Sequence, residues 1–308
     1  MAIVTGAVVQ AASVLFNKAQ TLEKLADLVS DAAAKGAQLV VLPEAFVGGY
    51  PKGLDFGAPL GSRTDAGREM YRRYFDNAID VPGEDVETIG KIVAAAKVHL
   101  VIGVVERDQG TLYCSALFFD PAGRMIGKHR KLMPTALERL VWGFGDGSTL
   151  PAPKTAIGTL GAVICWENYM PQLRLAMYGK GVQFYCAPTV DDRDVWLPTM
   201  QTIALEGRCF VLSACQHMKR SDGPADYHPV QGDAPETTLI RGGSCIISPL
   251  GKVLAGPVFD EDAILCAEMD KDDITRGKFD LDVVGHYARP DIFTLSVNET
   301  PMKVVKPQ

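Results

Sequence analysis

Several short runs of this chain are apolar at nearly every position, and that pattern constrains the fold more than any other feature. AQLVVLP (37–43) and HLVIGVVE (99–106) are the plainest examples, and VQFYCAP and CFVLSAC follow later in the chain. A strand with one face in water alternates apolar and polar residues, because successive side chains point to opposite faces. A strand that is apolar throughout is covered on both faces. Amphipathic segments lie between these runs. Residues 18–35 carry Leu22, Leu25, Leu28, Val29 and Ala32 at helical spacing, and Gly36 closes that helix. Residues 85–98, 171–180 and 193–207 also read as helices. The chain is therefore expected to be a sheet-rich α/β protein with both faces of its sheets covered.

Further strands are expected at TGAVVQA (5–11), TLYCSALFFD, MIGKHRK and DAILCAEMD, with the turn PAG at 121–123 between the second and third of these. TAIGTLGAVIC reads as two strands meeting at Gly158. SCIISPLGKVLAG reads as a hairpin turning at Pro249-Leu250-Gly251. Residues 217–240 are polar and rich in proline and glycine, and read as one long loop, mobile or placed at an interface. The tail from about residue 277 is rich in Asp, Pro and Lys and reads as a surface for subunit contacts. Nothing marks a domain boundary or an internal repeat, so residues 1–308 are expected to form one domain.

The 308 residues suffice for a sizeable core. A net charge of −6 gives no electrostatic reason to expect nucleic acid or an anionic membrane as a partner. No apolar stretch approaches the roughly 18 residues of a membrane span, and the apolar N-terminal segment lacks the basic start of a signal peptide. The 7 cysteines are scattered, odd in number and free of CxxC spacing. That argues against a disulfide framework or a zinc site. It fits a reducing compartment, the cytoplasm.

Three reactive side chains stand at the ends of apolar strands. Glu44 ends AQLVVLPE, Lys131 ends MIGKHRK and Cys165 ends GAVIC. Catalytic groups collect at the carboxyl ends of strands in α/β sheets. A strand-end cysteine also has a plain packing role available to it, as does a solvated Glu or Lys. Together, however, the three make chemical sense. A cation and the helix after Pro171 are expected to lower the thiol pKa. Glu44 would take the thiol proton and later activate water, and Lys131 would stabilise the charge on the attacked atom. The rival within enzymes is a Cys–His pair drawn from His99, His129, His217, His228 or His286, none of which has an evident partner in the sequence.

The three strand ends, with their motifs VVLPEAF, GKHRKLMPT and AVICWEN, resemble the nitrilase superfamily of carbon–nitrogen hydrolases over almost the whole chain. Glu44, Lys131 and Cys165 match the family's Glu–Lys–Cys triad, and Glu138 in PTALERLVWGFGDGS matches its second glutamate. CWEN, HRKLMPT, WGFGDGS and VGHYARPD are similar to the nitrilase branch. GGYPKG and YCAPTVDD are similar to plant-type nitrilases and their bacterial relatives, whereas Tyr169, Asp191-Asp192-Arg193 and a short 217–240 segment depart from the plant pattern and leave substrate preference open. The resemblance implies a four-layer α-β-β-α sandwich and hydrolysis of a small organic nitrile to acid and ammonia through a Cys165 thioimidate, without a cofactor. An amidase or an amide-forming hydratase would share the triad, and a non-catalytic scaffold would not need it. The pocket candidates are Tyr50, Trp142, Trp166, Thr189 and Trp196, and the Trp166 N–H is a candidate donor to the developing charge. A homo-oligomer is implied, a dimer that extends into a spiral or filament.

Overall fold

The computed structural model describes residues 3–302 and 305. Two main sheets form. In the larger, the strand order is Ala263–Asp270, Ile3–Gln10, Leu39–Val41, His99–Asp108, Thr111–Phe119, Met125–Arg130, and Ile79–Asp80 pairs with His99–Asp108 near its end. In the smaller, the order is Val253–Ala255, Cys245–Ile247, Phe210–Ser213, Phe184–Cys186, Leu160–Ala162. The sheets face each other, and each carries helices on its outer side. The fold is an α-β-β-α sandwich.

The apolar runs explain the layering. Leu39 and Val41 belong to the core between the sheets, whereas Val40 and Leu42 face the helices Lys18–Ala34 and Glu84–Ala96. In the smaller sheet Phe184, Phe210, Leu212 and Ile246 point into the central core. Tyr185, Val211, Cys245 and Ile247 point toward the helices Pro171–Gly179 and Trp196–Gly207. Every second side chain thus serves a different core, which is why neither parity can be polar. The cysteines are all free. No described helix is long and apolar enough to cross a membrane.

Two expectations need correction, and one helix stands where none was expected. TAIGTLGAVIC forms one strand, Leu160–Ala162, with a lone bridge between Lys154 and Thr159 in place of the other. Thr155 and Gly158 exchange backbone hydrogen bonds of 3.0 and 3.2 Å, so the chain turns before a ladder can extend. Residues 217–240 are not one long loop. His217–Lys219 pairs with Thr238–Arg241, and the buried Arg220 gathers the carbonyls of Pro224 and Ala225 at 3.0 and 2.9 Å. Tyr227 Oη then donates to the Lys52 carbonyl, and Val230 N–H to that of Gly53, so the segment is bound to the 50–53 turn. Finally, residues 65–76 form a helix that the apolar pattern did not announce. Thr64 caps it, and Tyr74 is its main buried side chain.

Gly103 shows how closely the larger sheet holds the turn that follows Leu39–Val41. A Cβ at this position would lie 2.3 Å from the Pro43 oxygen and 2.6 Å from both Ala45 N and Glu44 Cα. Only a glycine allows this approach of backbone to backbone. Gly103→Ala is expected to lower the unfolding free energy by about 1–3 kcal/mol in urea titrations. An unchanged midpoint would mean that the Glu44 turn moves aside freely.

Candidate active site

Lys131 follows directly on the strand Met125–Arg130, and its N–H donates to the Cys114 carbonyl at 2.8 Å, so the edge pairing continues one residue further. Its ammonium is completely buried. Nζ donates to Glu44 Oε1 at 2.6 Å and to Glu138 Oε2 at 2.7 Å, and it lies 5.7 Å from the Trp142 ring centre. Glu44 stands beyond Leu39–Val41 on the neighbouring turn. Gln216 holds its backbone carbonyl at 2.8 Å, and Ala45 beside it has a positive φ of 50°. Glu138 opens the short helix Glu138–Val141. Its Oε2 also accepts from the Thr135 N–H at 2.6 Å, and its Oε1 from Tyr50 Oη at 2.8 Å.

Cys165 comes from the other sheet. Its N–H donates to the Pro188 carbonyl at 2.9 Å, so the line of Leu160–Ala162 runs on to this point. There the chain breaks into a short 3-10 helix, Cys165–Tyr169, with Cys165 at φ 51°. A left-handed non-glycine residue costs roughly 1–3 kcal/mol and persists where its surroundings enforce it. Thr189 Oγ1 lies 3.2 Å from Cys165 Sγ and itself accepts from the Asp191 N–H at 2.9 Å, so its hydroxyl hydrogen points to sulfur. No described carbonyl or side chain accepts from the Trp166 N–H, which follows the nucleophile candidate.

The electrostatics differ from the expectation for Cys165. Burial pushes its thiol pKa up, Glu44 adds to this, and Lys131 compensates only in part. The neighbouring cation was evident in the sequence; the complete desolvation was not. Glu44 is raised from 4.5 to about 7, chiefly by burial, against the attraction of Lys131. Burial opposes the charge on Lys131 as well, but the anions around it, Glu44 first, hold its pKa well above the ordinary lysine value. Glu44 Oε2 is buried without a hydrogen-bond partner, and the Cys165 thiol acts on this carboxyl group. The site therefore has a base near neutrality, a thiol that stays protonated until the base acts, and a fixed cation between two carboxylates.

The carbon-nitrogen hydrolase family model matches residues 5–279. The chain belongs to that family. A nitrilase of Bradyrhizobium diazoefficiens is 61% identical, over 97% of this chain and 93% of the relative. A bifunctional nitrilase/nitrile hydratase of Lupinus angustifolius is 52% identical, over 98% of this chain and 88% of its own. A carbon-nitrogen hydrolase of Helicobacter pylori shares the fold at a TM-score of 0.71 and 22% identity, covering 90% of this chain and 92% of that one.

The other candidates separate clearly within this family fold. Tyr50 and Trp142 pack edge to face at 5.7 Å beside Glu138, and the three line a cavity of about 540 Å³ together with Leu54, Leu137 and Val230. Trp166 is partly exposed. Its Nε1 donates to Asp191 Oδ2 at 2.8 Å, and Arg193 lies over its ring at 4.7 Å. Trp196 is not at this site: it is buried in the outer core, and its Nε1 donates to Ser213 Oγ at 2.9 Å. Among the described residues, four of the candidate histidines bond elsewhere than to Cys165. His129 meets Glu167, His217 meets Asp262, His228 meets Asp233, and His99 meets the Gln38 carbonyl. Cys114, which no motif singles out, places its thiol 3.6 Å from Glu44 Oε1. No described group of His, Cys, Asp and Glu is arranged to hold a metal.

With Glu44 as the base, active only when ionised, hydrolase kcat/KM should fall as pH drops through about 7. Glu138 raises the Glu44 pKa, so Glu138→Gln should move the acidic limb of the pH profile to lower pH. A limb that does not move would belong to another group. Thr189→Val removes the hydroxyl donor to sulfur and should slow alkylation of Cys165 by iodoacetamide about 10–100-fold, the value of a hydrogen bond to a charged group.

Proposed function

We propose that the chain is a nitrilase, which hydrolyses an organic nitrile to the carboxylic acid and ammonia. The observation that carries this reading is the full-length identity to proteins named nitrilases, joined to a buried Glu44–Lys131–Glu138 cluster beside Cys165. Glu44 takes the Cys165 proton, and the thiolate adds to the carbon of R–C≡N. The nitrile nitrogen takes up a proton, giving a covalent thioimidate. Glu44 activates a water, whose addition gives a tetrahedral species, and ammonia leaves. A second water cleaves the resulting thioester and releases the acid. Lys131 and the Trp166 N–H face the charge that develops during these additions. Glu138 fixes Lys131 and, through Tyr50, one wall of the substrate cavity.

A second product is also proposed. The lupin relative is named as bifunctional. If the tetrahedral species expels the Cys165 thiolate in place of ammonia, the amide is released, and the same residues account for both outcomes.

The protein acts as a homo-oligomer in this reading, with a dimer as building block that extends into a spiral or filament. The tail supports this. Phe279, Tyr287 and Phe293 are exposed, and the tail from residue 283 lines an open groove of about 640 Å³ against the helix Pro171–Gly179. Residues 303, 304 and 306–308 of the tail lie outside the described residues. The free thiols fit the cytoplasm.

The test is a panel of aliphatic and aromatic nitriles and their amides, with acid, amide and ammonia measured separately. Acid with ammonia from a nitrile is expected, and turnover of amides alone would refute the nitrilase reading. Cys165→Ala should abolish turnover, by at least about 10⁴-fold, while circular dichroism stays unchanged.

A further inference from the structure

A second buried ion pair lies beside the first, outside the chemistry described above. Glu167 is two residues beyond Cys165 and almost fully buried. Its Oε2 accepts from the Ile164 N–H at 2.9 Å and faces His129 Nε2 at 3.0 Å. Its Oε1 accepts from the Leu132 N–H at 2.5 Å. His129 Nδ1 lies 2.6 Å from the Thr149 carbonyl. A carbonyl only accepts, so Nδ1 carries a hydrogen. Glu167 Oε2 already accepts from the Ile164 N–H, and a carboxylate oxygen only accepts, so Nε2 carries a hydrogen too. His129 is then an imidazolium sealed between Glu167 and Thr149.

The two backbone groups held by Glu167 give the pair its meaning. Ile164 immediately precedes Cys165, and Leu132 immediately follows Lys131. One carboxylate thus ties the nucleophile turn of the smaller sheet to the lysine strand of the larger. We propose that Glu167, charged and oriented by His129, is the positioning residue that sets Cys165 against the Lys131–Glu44 cluster. Glu167→Gln keeps the shape but puts an amide NH₂ against one of the two N–H donors, and it cannot hold the imidazolium. His129→Asn removes the positive charge. Both variants are expected to shift the turn by about an ångström without emptying the substrate cavity.

This rests on Cys165 as the nucleophile, so the test has readouts that need no nitrile turnover. In ¹⁵N-histidine spectra at pH 8, assigned by the signal lost in His129→Asn, both ring nitrogens of His129 are expected to be protonated. A neutral ring would overturn the proposal. Mass spectrometry of the Cys165 peptide should show alkylation by iodoacetamide slowed in Glu167→Gln. In that variant kcat should fall about 100-fold, the scale of an ångström misplacement, with KM changed less than about threefold. The double variant His129→Leu/Glu167→Met replaces the pair by apolar groups, an exchange that buried ion pairs often tolerate. It is expected to fold with a Tm near the parent's and to keep the low kcat and slow alkylation. Recovery of both in the double variant would reduce the pair to a stabilising role and overturn the proposal.

Discussion

A single ammonium, that of Lys131, is fully buried and shared between two carboxylates. The rest of the molecule is arranged around that fact. An unpaired charge at such depth costs several kcal/mol, and removing one partner of a buried pair typically costs about 3–5 kcal/mol. Lys131 is tolerable there only because Glu44 and Glu138 both reach it, from separate elements, within 2.7 Å. The Glu44 turn, the strand end at Lys131 and the short helix at Glu138 are therefore fixed together. Tyr50 and Trp142 inherit their places from Glu138 and Lys131, and with them one wall of the cavity.

The sandwich makes this arrangement possible because the two sheets deliver different chemistry to one place. The larger sheet supplies the charges, at the ends of Leu39–Val41 and Met125–Arg130. The smaller supplies the thiol and its hydroxyl partner, at Cys165 and Thr189. Neither sheet holds the whole site, so its precision depends on what links them. The apolar core between the sheets sets their spacing but acts without direction. Directional links across the gap include Gln10, whose Oε1 accepts from the Gly243 and Ser244 N–H groups. Glu167 is the one that reaches the residues flanking both Cys165 and Lys131, and Gln216 makes another, to the Glu44 backbone.

Much of this was legible in the sequence, for a physical reason. Strands such as 37–43 and 99–106 serve two cores at once and must be apolar at both parities, which announces buried sheets without any contact information. Glu44, Lys131 and Cys165 stand where those runs end in a reactive group. What escaped lay where the local signal is weak. The helix Asp65–Asp76 buries little besides Gly67 and Tyr74, so it has no apolar stripe to read. The 217–240 segment is ordered by one buried arginine and by contacts to residues 50–53, far away in the chain. Trp196 and Thr189 look alike as pocket candidates until burial shows one bonded to Ser213 and the other to sulfur. His129 and Glu167 are 38 positions apart; their adjacency to the Lys131 and Cys165 motifs was visible, and their pairing was not.

The raised thiol pKa changes how the proposed reaction should be understood. A nucleophile activated in advance would place a thiolate beside two carboxylates, with only Lys131 to balance three negative charges. Burial prevents that state. With Cys165 protonated, the cluster holds two carboxylates and one ammonium, and moving the thiol proton to Glu44 leaves the total charge unchanged. The negative charge passes from oxygen to sulfur, and then to the substrate atom facing Lys131 as the new bond forms. Charge is moved within a closed site and is never added to it, so the large desolvation cost is met once, on folding, and does not recur in each step of the reaction. That is why Glu44, near pH 7, and not the thiol, should set the pH at which the enzyme begins to work.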